Sequence, residues 1–220
     1  MRWGLVPVYI VLFVTSVLMA APLVLTIFSS LKSPDQFLRA PWVPPSPPVF
    51  DNFVSAWYRG RFNVYFKNSV MISTIDASLM ALIATMAAYA LAFLRFPGNR
   101  ALLVILILGL MAPVTALILP LYAVMNSFGL VNTRLAVIAA DLALALPFFI
   151  FIVRAYFLNL PAELRDAAKV DGANEFQVFW NVMFPLAKPI VVVVVLLEFL
   201  WAGTTCFCVW FSSPRIPYGR

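Results

Sequence analysis

The chain has 220 residues, 64% of them hydrophobic and 11% charged, with a mean hydropathy of +0.98. A water-soluble domain of this size has no interior large enough for so much apolar side chain, so its main solvent is lipid. The net charge of +6 is spread over loops, which suits anionic headgroups, and no basic run with interleaved aromatics points to nucleic acid.

Histidine is absent and the only cysteines are Cys206 and Cys208. This argues against histidine-ligated zinc and histidine general bases, and leaves no disulfide framework. Neither a catalytic residue, a metal site nor a bound cofactor is expected.

The first apolar run, Leu5 to Phe28, follows a single Arg2. It is long enough to cross about 30 Å of hydrocarbon and longer than a signal-peptide core, so it reads as a retained span, although Ala20-Ala21-Pro22 resembles a cleavage site. Residues 29–68 carry Pro41, Pro44, Pro45, Pro47 and Pro48 among several basic residues. Prolines at that density exclude a spanning helix. An extended segment outside the membrane is expected, followed by a short helix near Phe53–Tyr58 with Asp51 or Asn52 as its N-cap.

A second span is predicted at residues 70–93, closed by the turn Arg95–Arg100. A third follows at residues 102–125, kinked by Pro113 and Pro120. A fourth at residues 135–156 is interrupted by Pro147, and a weaker fifth covers residues 189–211. Arg95 and Arg100 outnumber Arg134 across the short loops, which places the second turn in the cytoplasm. The N-terminus is then inside and residues 29–68 outside.

Between the last two apolar runs lies a charged island. Glu163, Arg165, Asp166, Lys169, Asp171 and Glu175 surround Ala167, Ala168 and Gly172. Asn159-Leu160-Pro161 reads as a helix start, with acids in the first turns. Leu164, Ala167, Ala168 and Val170 form the less polar face, and Gly172 ends the helix because glycine takes positive φ cheaply. Asn174 can cap a second helix whose apolar face is Phe176, Phe179, Trp180 and Met183. Pro185 and Pro189 turn the chain back into the bilayer.

The island resembles the EAA motif of binding-protein-dependent ABC importers, and specifically their carbohydrate-type permease subunits. Ala167, Ala168, Gly172 and Pro185 match that motif, with Asp166, Val182 and Phe184 at its Glu, Ile and Leu positions. Ser30-Leu31-Lys32, Asn68-Ser69, Pro120-Leu121-Tyr122, Gly129–Thr133 and Leu146-Pro147-Phe148 extend the likeness along most of the chain. The resemblance implies an all-α polytopic membrane helix bundle in a bacterial or archaeal cell (inner) membrane, with residues 159–185 as a cytoplasmic coupling loop. It implies that Glu163, Asp166, Ala167, Ala168, Asp171, Gly172 and Pro185 serve ATPase coupling. Its partners would be a cytoplasmic ATPase subunit dimer, a second permease subunit and an extracytoplasmic solute-binding protein. The chain itself has no phosphate-binding loop of the Gly-x-x-x-x-Gly-Lys-Ser/Thr type, so ATP would be bound by a partner.

Helix breaks at Pro120 and Pro147 suit a translocation path. Asp76, Asp141 and Glu198 fall within apolar runs, where a carboxylate costs about 2.5–3.5 kcal/mol on insertion scales. Asp141 and Glu198 are therefore candidates for the path, and Asp76 lies near the outer end of its predicted span. The likeness stops near Trp201-Ala202, where relatives continue with Trp-Asn-Asp and a sixth span. One base lost after the Ala202 codon would explain this, making residues 203–220 an out-of-frame tail. Two other readings remain: a secondary transporter driven by an ion gradient, which calls for inverted repeats and paired intramembrane charges, and an inactive permease fragment.

Overall fold

The computed structural model describes residues 5–204. They form helices joined by turns, and no strand occurs among them. Three helices are long and apolar enough to cross a membrane, and two bent helix pairs would bring the number to five. The chain divides into two compact units within one helix, after Phe66. The tail after Thr204, including Cys206, Cys208 and the end of the predicted fifth span, lies outside the described residues.

In the first unit, α1 (Val6–Ser30) has no buried residue. Its apolar surface is exposed along most of its length, as suits a helix whose solvent is lipid. The segment that follows is folded rather than extended. Ser33 and Gln36 form a reciprocal capping box at the start of α2 (Pro34–Arg39). Proline-rich chain leaves carbonyls without local donors, and side chains supply them. The buried Lys32 ammonium donates to the Ala40 and Pro41 carbonyls at 2.9 and 2.7 Å, and Asn52 Nδ2 donates to those of Ser30 and Lys32 at 2.9 and 2.8 Å. The short helix α3 (Asp51–Tyr58) is present, but its N-cap is Phe50, without a side-chain bond. Neither Asp51 nor Asn52 caps it, because Asn52 is committed to the loop.

The longest helix, α4 (Phe62–Phe93), starts well before the predicted residue 70. In the second unit, Ala77, Ala81, Ala84 and Ala88 form a buried stripe on α4, and small residues let neighbouring backbones approach closely. The predicted third span is two helices, α5 (Asn99–Met111) and α6 (Val114–Ser127), bent by 108°. Ala112 and Pro113 are extended between them, as expected for a proline and the residue before it. α7 (Arg134–Leu158) is capped by Thr133, whose side chain accepts from the Ala136 amide.

After α7 come α8 (Ala162–Val170), a second helical stretch and α11 (Lys188–Thr204). The second stretch comprises α9 (Glu175–Val178), a π turn (Phe179–Met183) and α10 (Phe184–Leu186), and it meets α11 at 74°. Phe149, Val153 and Phe157 of α7, Ala81, Ala84 and Ala88 of α4, Phe179, Met183 and Val194 share one core.

Candidate functional site

The charged island folds as an elbow. α8 begins at Ala162 with Pro161 as its N-cap. Its end follows the glycine rule: Gly172 sits at φ +86°, its amide donates to the Lys169 carbonyl, and the Ala173 amide donates to Ala168, both at 3.0 Å. These two bonds satisfy the last carbonyls of α8. Asn174 then opens α9 in a capping box with Gln177, at 2.9 Å in both directions. Glu163, Asp166, Ala167, Asp171 and Gly172 are exposed together here, and a side chain built at Gly172 meets open space. Ala168 is half-buried against the core. Pro185 is exposed but lies on α10, toward the bend into α11. The predicted apolar faces are only partly buried: Val170 is 88% exposed and Leu164 and Phe176 are also exposed, whereas Phe179 and Met183 enter the core.

A polar latch ties the elbow to α4. Tyr89 Oη donates to Glu175 Oε2 at 2.6 Å, Arg165 Nη2 donates to Glu175 Oε1 at 2.8 Å, and Lys169 pairs with the same oxygen. Arg165 also lies 5.5 Å over the Phe93 ring, a cation–π contact. Burial pushes the Glu175 carboxyl up, but Lys169, Tyr89 and Arg165 together hold it below the ordinary glutamate value. Burial opposes the Arg165 charge, and bonds to Tyr89 and Glu175 outweigh it, raising its pKa. Beside the latch opens a basic cavity of about 1000 Å³ reached by Arg95, Arg100, Arg154 and Arg165. Arg165 and Glu175 were legible only as members of a charge run. Their partner Tyr89 is 86 residues from Glu175, and no local pattern announces such a pair.

The acids of the apolar runs also converge. Asp76 on α4, Asp141 on α7 and Glu198 on α11 each place a carboxylate oxygen within 4.8 Å of the other two. Asp76 and Glu198 are 0% exposed and Asp141 is 8% exposed. Asp76, expected near the outer end of its span, is buried among the helices of the second unit. Because α4 starts at Phe62, Asp76 lies about 21 Å along its axis.

The kink expected at Pro113 is present as a full break between helices, whereas Pro120 and Pro147 do not break theirs. Pro120 lies inside α6 and Pro147 inside α7, and both helices run through them. Pro120 is exposed, while Pro147 packs beside Gly109 of α5. The true break is at Pro113. A cavity of about 200 Å³ beside it is lined by Asp141, Phe148 and Trp201, so Asp141 touches an internal space that Pro120 does not.

Residues 80–209 match the model of the family described as binding-protein-dependent transport system inner membrane component. The diacetylchitobiose uptake system permease protein NgcG of Streptomyces coelicolor is 36% identical over 189 residues, covering 86% of this chain and 63% of that protein. A probable ABC transporter permease protein, YurM of Bacillus subtilis, is 36% identical over 87% of this chain and 64% of its own length. The chain therefore spans a little under two thirds of these two relatives. A crystal structure of a bacterial ABC transporter involved in the import of the acidic polysaccharide alginate superposes with a TM-score of 0.72. It is 26% identical, and the match covers 91% of this chain and 70% of that one. The matched family region takes in α8, the elbow turn and α11, and it runs to residue 209, past the Ala202 limit that the motifs suggested. This integral membrane protein belongs to the binding-protein-dependent transport system inner membrane component family.

Proposed function

We propose that the chain is the membrane permease subunit of an ATP-driven importer for a sugar or related small solute, and that its elbow couples it to a separate ATPase subunit. One observation carries the reading. α8 and its glycine turn present Ala167, Asp166 and Gly172 on an open surface, and the Glu175 latch fixes that surface to α4. Small side chains allow a partner's groove to reach the backbone, and the surrounding charges give the contact register. A fixed mount lets a pull on the elbow reach the bundle rather than bend a loose loop.

In this reading the chain is not an enzyme and holds no cofactor of its own, and ATP is bound by the partner. A second permease subunit completes the path, an extracytoplasmic binding protein delivers the solute, and the chain crosses the membrane several times. The sugar assignment draws on the names of relatives such as NgcG. The ion-gradient alternative gains support from the convergence of three acids, but the family and the elbow favour ATP.

Co-purification tests the coupling role. The unmodified chain is expected to recover an ATPase subunit from membranes of its source. Ala167→Trp is expected to lose it while keeping its thermal midpoint, since that position is exposed and free of backbone strain. Retention of the ATPase by Ala167→Trp, or its absence from the unmodified preparation, contradicts the proposal.

A further inference from the structure

Three carboxylates from three helices meet, and none of them forms an ion pair with a described residue. The ion pairs among the described residues lie in the elbow. Both oxygens of Asp76 and both of Glu198 are buried without a hydrogen-bond partner. The Ser73 hydroxyl is a further orphan, 1% exposed and one turn before Asp76 on the same helix. Residues three apart share a helix face, so Ser73 and Asp76 lie on one side of α4.

Leaving such groups unmatched is costly, because buried polar atoms need partners and buried charges need counter-charges. An acid–acid cluster has no donor to offer itself while its members are ionised. What would satisfy it is a positive centre with several open coordination positions.

We propose that Asp76, Asp141 and Glu198 form a binding site for a calcium-sized hard cation, bridging α4, α7 and α11 within the bundle. All the contributed atoms are oxygens, the ligands that calcium and magnesium prefer. Calcium holds its ligands at about 2.3–2.6 Å, so oxygens that lie within 4.8 Å of one another can share one ion. Calcium also accepts both oxygens of one carboxylate and irregular geometry. That matches Asp76 and Glu198, each with two free oxygens. A divalent charge offsets most of the charge of three carboxylates, which a monovalent ion does less well. Asp141 is the least buried of the three and lines the cavity of about 200 Å³. The ion would fasten three helices at one point, and the site is independent of whether the elbow docks an ATPase.

The test uses the purified full-length chain in nanodiscs of zwitterionic lipid, stripped with a chelator and re-equilibrated with CaCl2, MgCl2 or NaCl alone at matched ionic strength. Bound metal is counted by mass spectrometry and the thermal midpoint is followed in parallel. The wild type is expected to keep about one calcium per chain and to melt several degrees higher with calcium than with the other salts. Asp51→Asn, which alters an acid far along the chain, is expected to behave as wild type. Asp76→Asn combined with Glu198→Gln is expected to lose both the calcium and the calcium-dependent shift. Calcium retained equally by the double variant overturns the proposal, as does a wild-type midpoint indifferent to calcium or a preference for magnesium or sodium. If the double variant does not fold, the wild-type stoichiometry decides, and a preparation without bound calcium refutes the site.

Discussion

Gly172 and Glu175 show how single residues hold the elbow. Gly172 needs positive φ and meets nothing where a side chain would project, so substitution there has a backbone cost alone. Gly172→Ala is expected to lower stability by about 1 kcal/mol, and Gly172→Asn by less because asparagine tolerates that region. Chemical unfolding in detergent would measure both; equal stability of all three chains would refute the strained-turn argument. For Glu175 the folded carboxyl is lowered, so its contribution is full above the unfolded glutamate value. That contribution is lost as pH falls through the lower folded value. The midpoint gap between wild type and Glu175→Gln is therefore expected to be widest near neutral pH and to close on acidification. A gap that widened on acidification would show that the latch does not depend on the ionised carboxylate.

At the scale of elements, three prolines in apolar runs behave differently. Pro113 follows an extended Ala112 and separates α5 from α6, whereas Pro120 and Pro147 are carried within α6 and α7. Sequence alone treats the three alike, because each lacks an amide proton and crowds the preceding turn. What distinguishes them is whether the neighbouring packing accepts a missing bond, and Pro147 packs against α5. Spin labels at Ile105 and Leu119 would report the bend. Pro113→Leu is expected to lengthen their separation toward the about 21 Å of a continuous helix, while Pro147→Ala leaves it unchanged. An unaltered distance in Pro113→Leu would place the cause of the bend in packing instead. α4 offers a parallel lesson. The helix begins at Phe62, ahead of the apolar run at residues 70–93, and Phe62–Asn68 mixes aromatic, basic and amide residues that lack the uniform apolar signal of a span. Asp76 therefore lies well inside a long helix rather than in its first turns.

For the molecule as a whole, helical class and lipid solvent were legible from composition, since runs of apolar residues this long exceed what a water-soluble core can bury and match the thickness of a bilayer. The elbow was legible because its determinants are local: a glycine, an asparagine and two alanines within a few residues. Gly172 and Asn174 take the conformations expected of them. The acid cluster was not legible as a cluster. Asp76, Asp141 and Glu198 are far apart in sequence, and only the packing of α4, α7 and α11 brings them together. The folded loop after α1 was missed for a similar reason, since its stability comes from Lys32 and Asn52 bonding to carbonyls that no pattern assigns to them.

The central claim is that the elbow stands in the cytosol and is gripped there by an ATPase. Site-directed labelling tests it most directly. A single cysteine is introduced by Glu163→Cys, with Cys206 and Cys208 replaced by serine, and exposed to a membrane-impermeant maleimide in oriented vesicles. Labelling is expected only when the cytosolic face is open to the reagent, and it should fall when the ATPase subunit is co-expressed. Reaction from the outer face, or a cysteine sealed from the reagent on both faces, would contradict the claim.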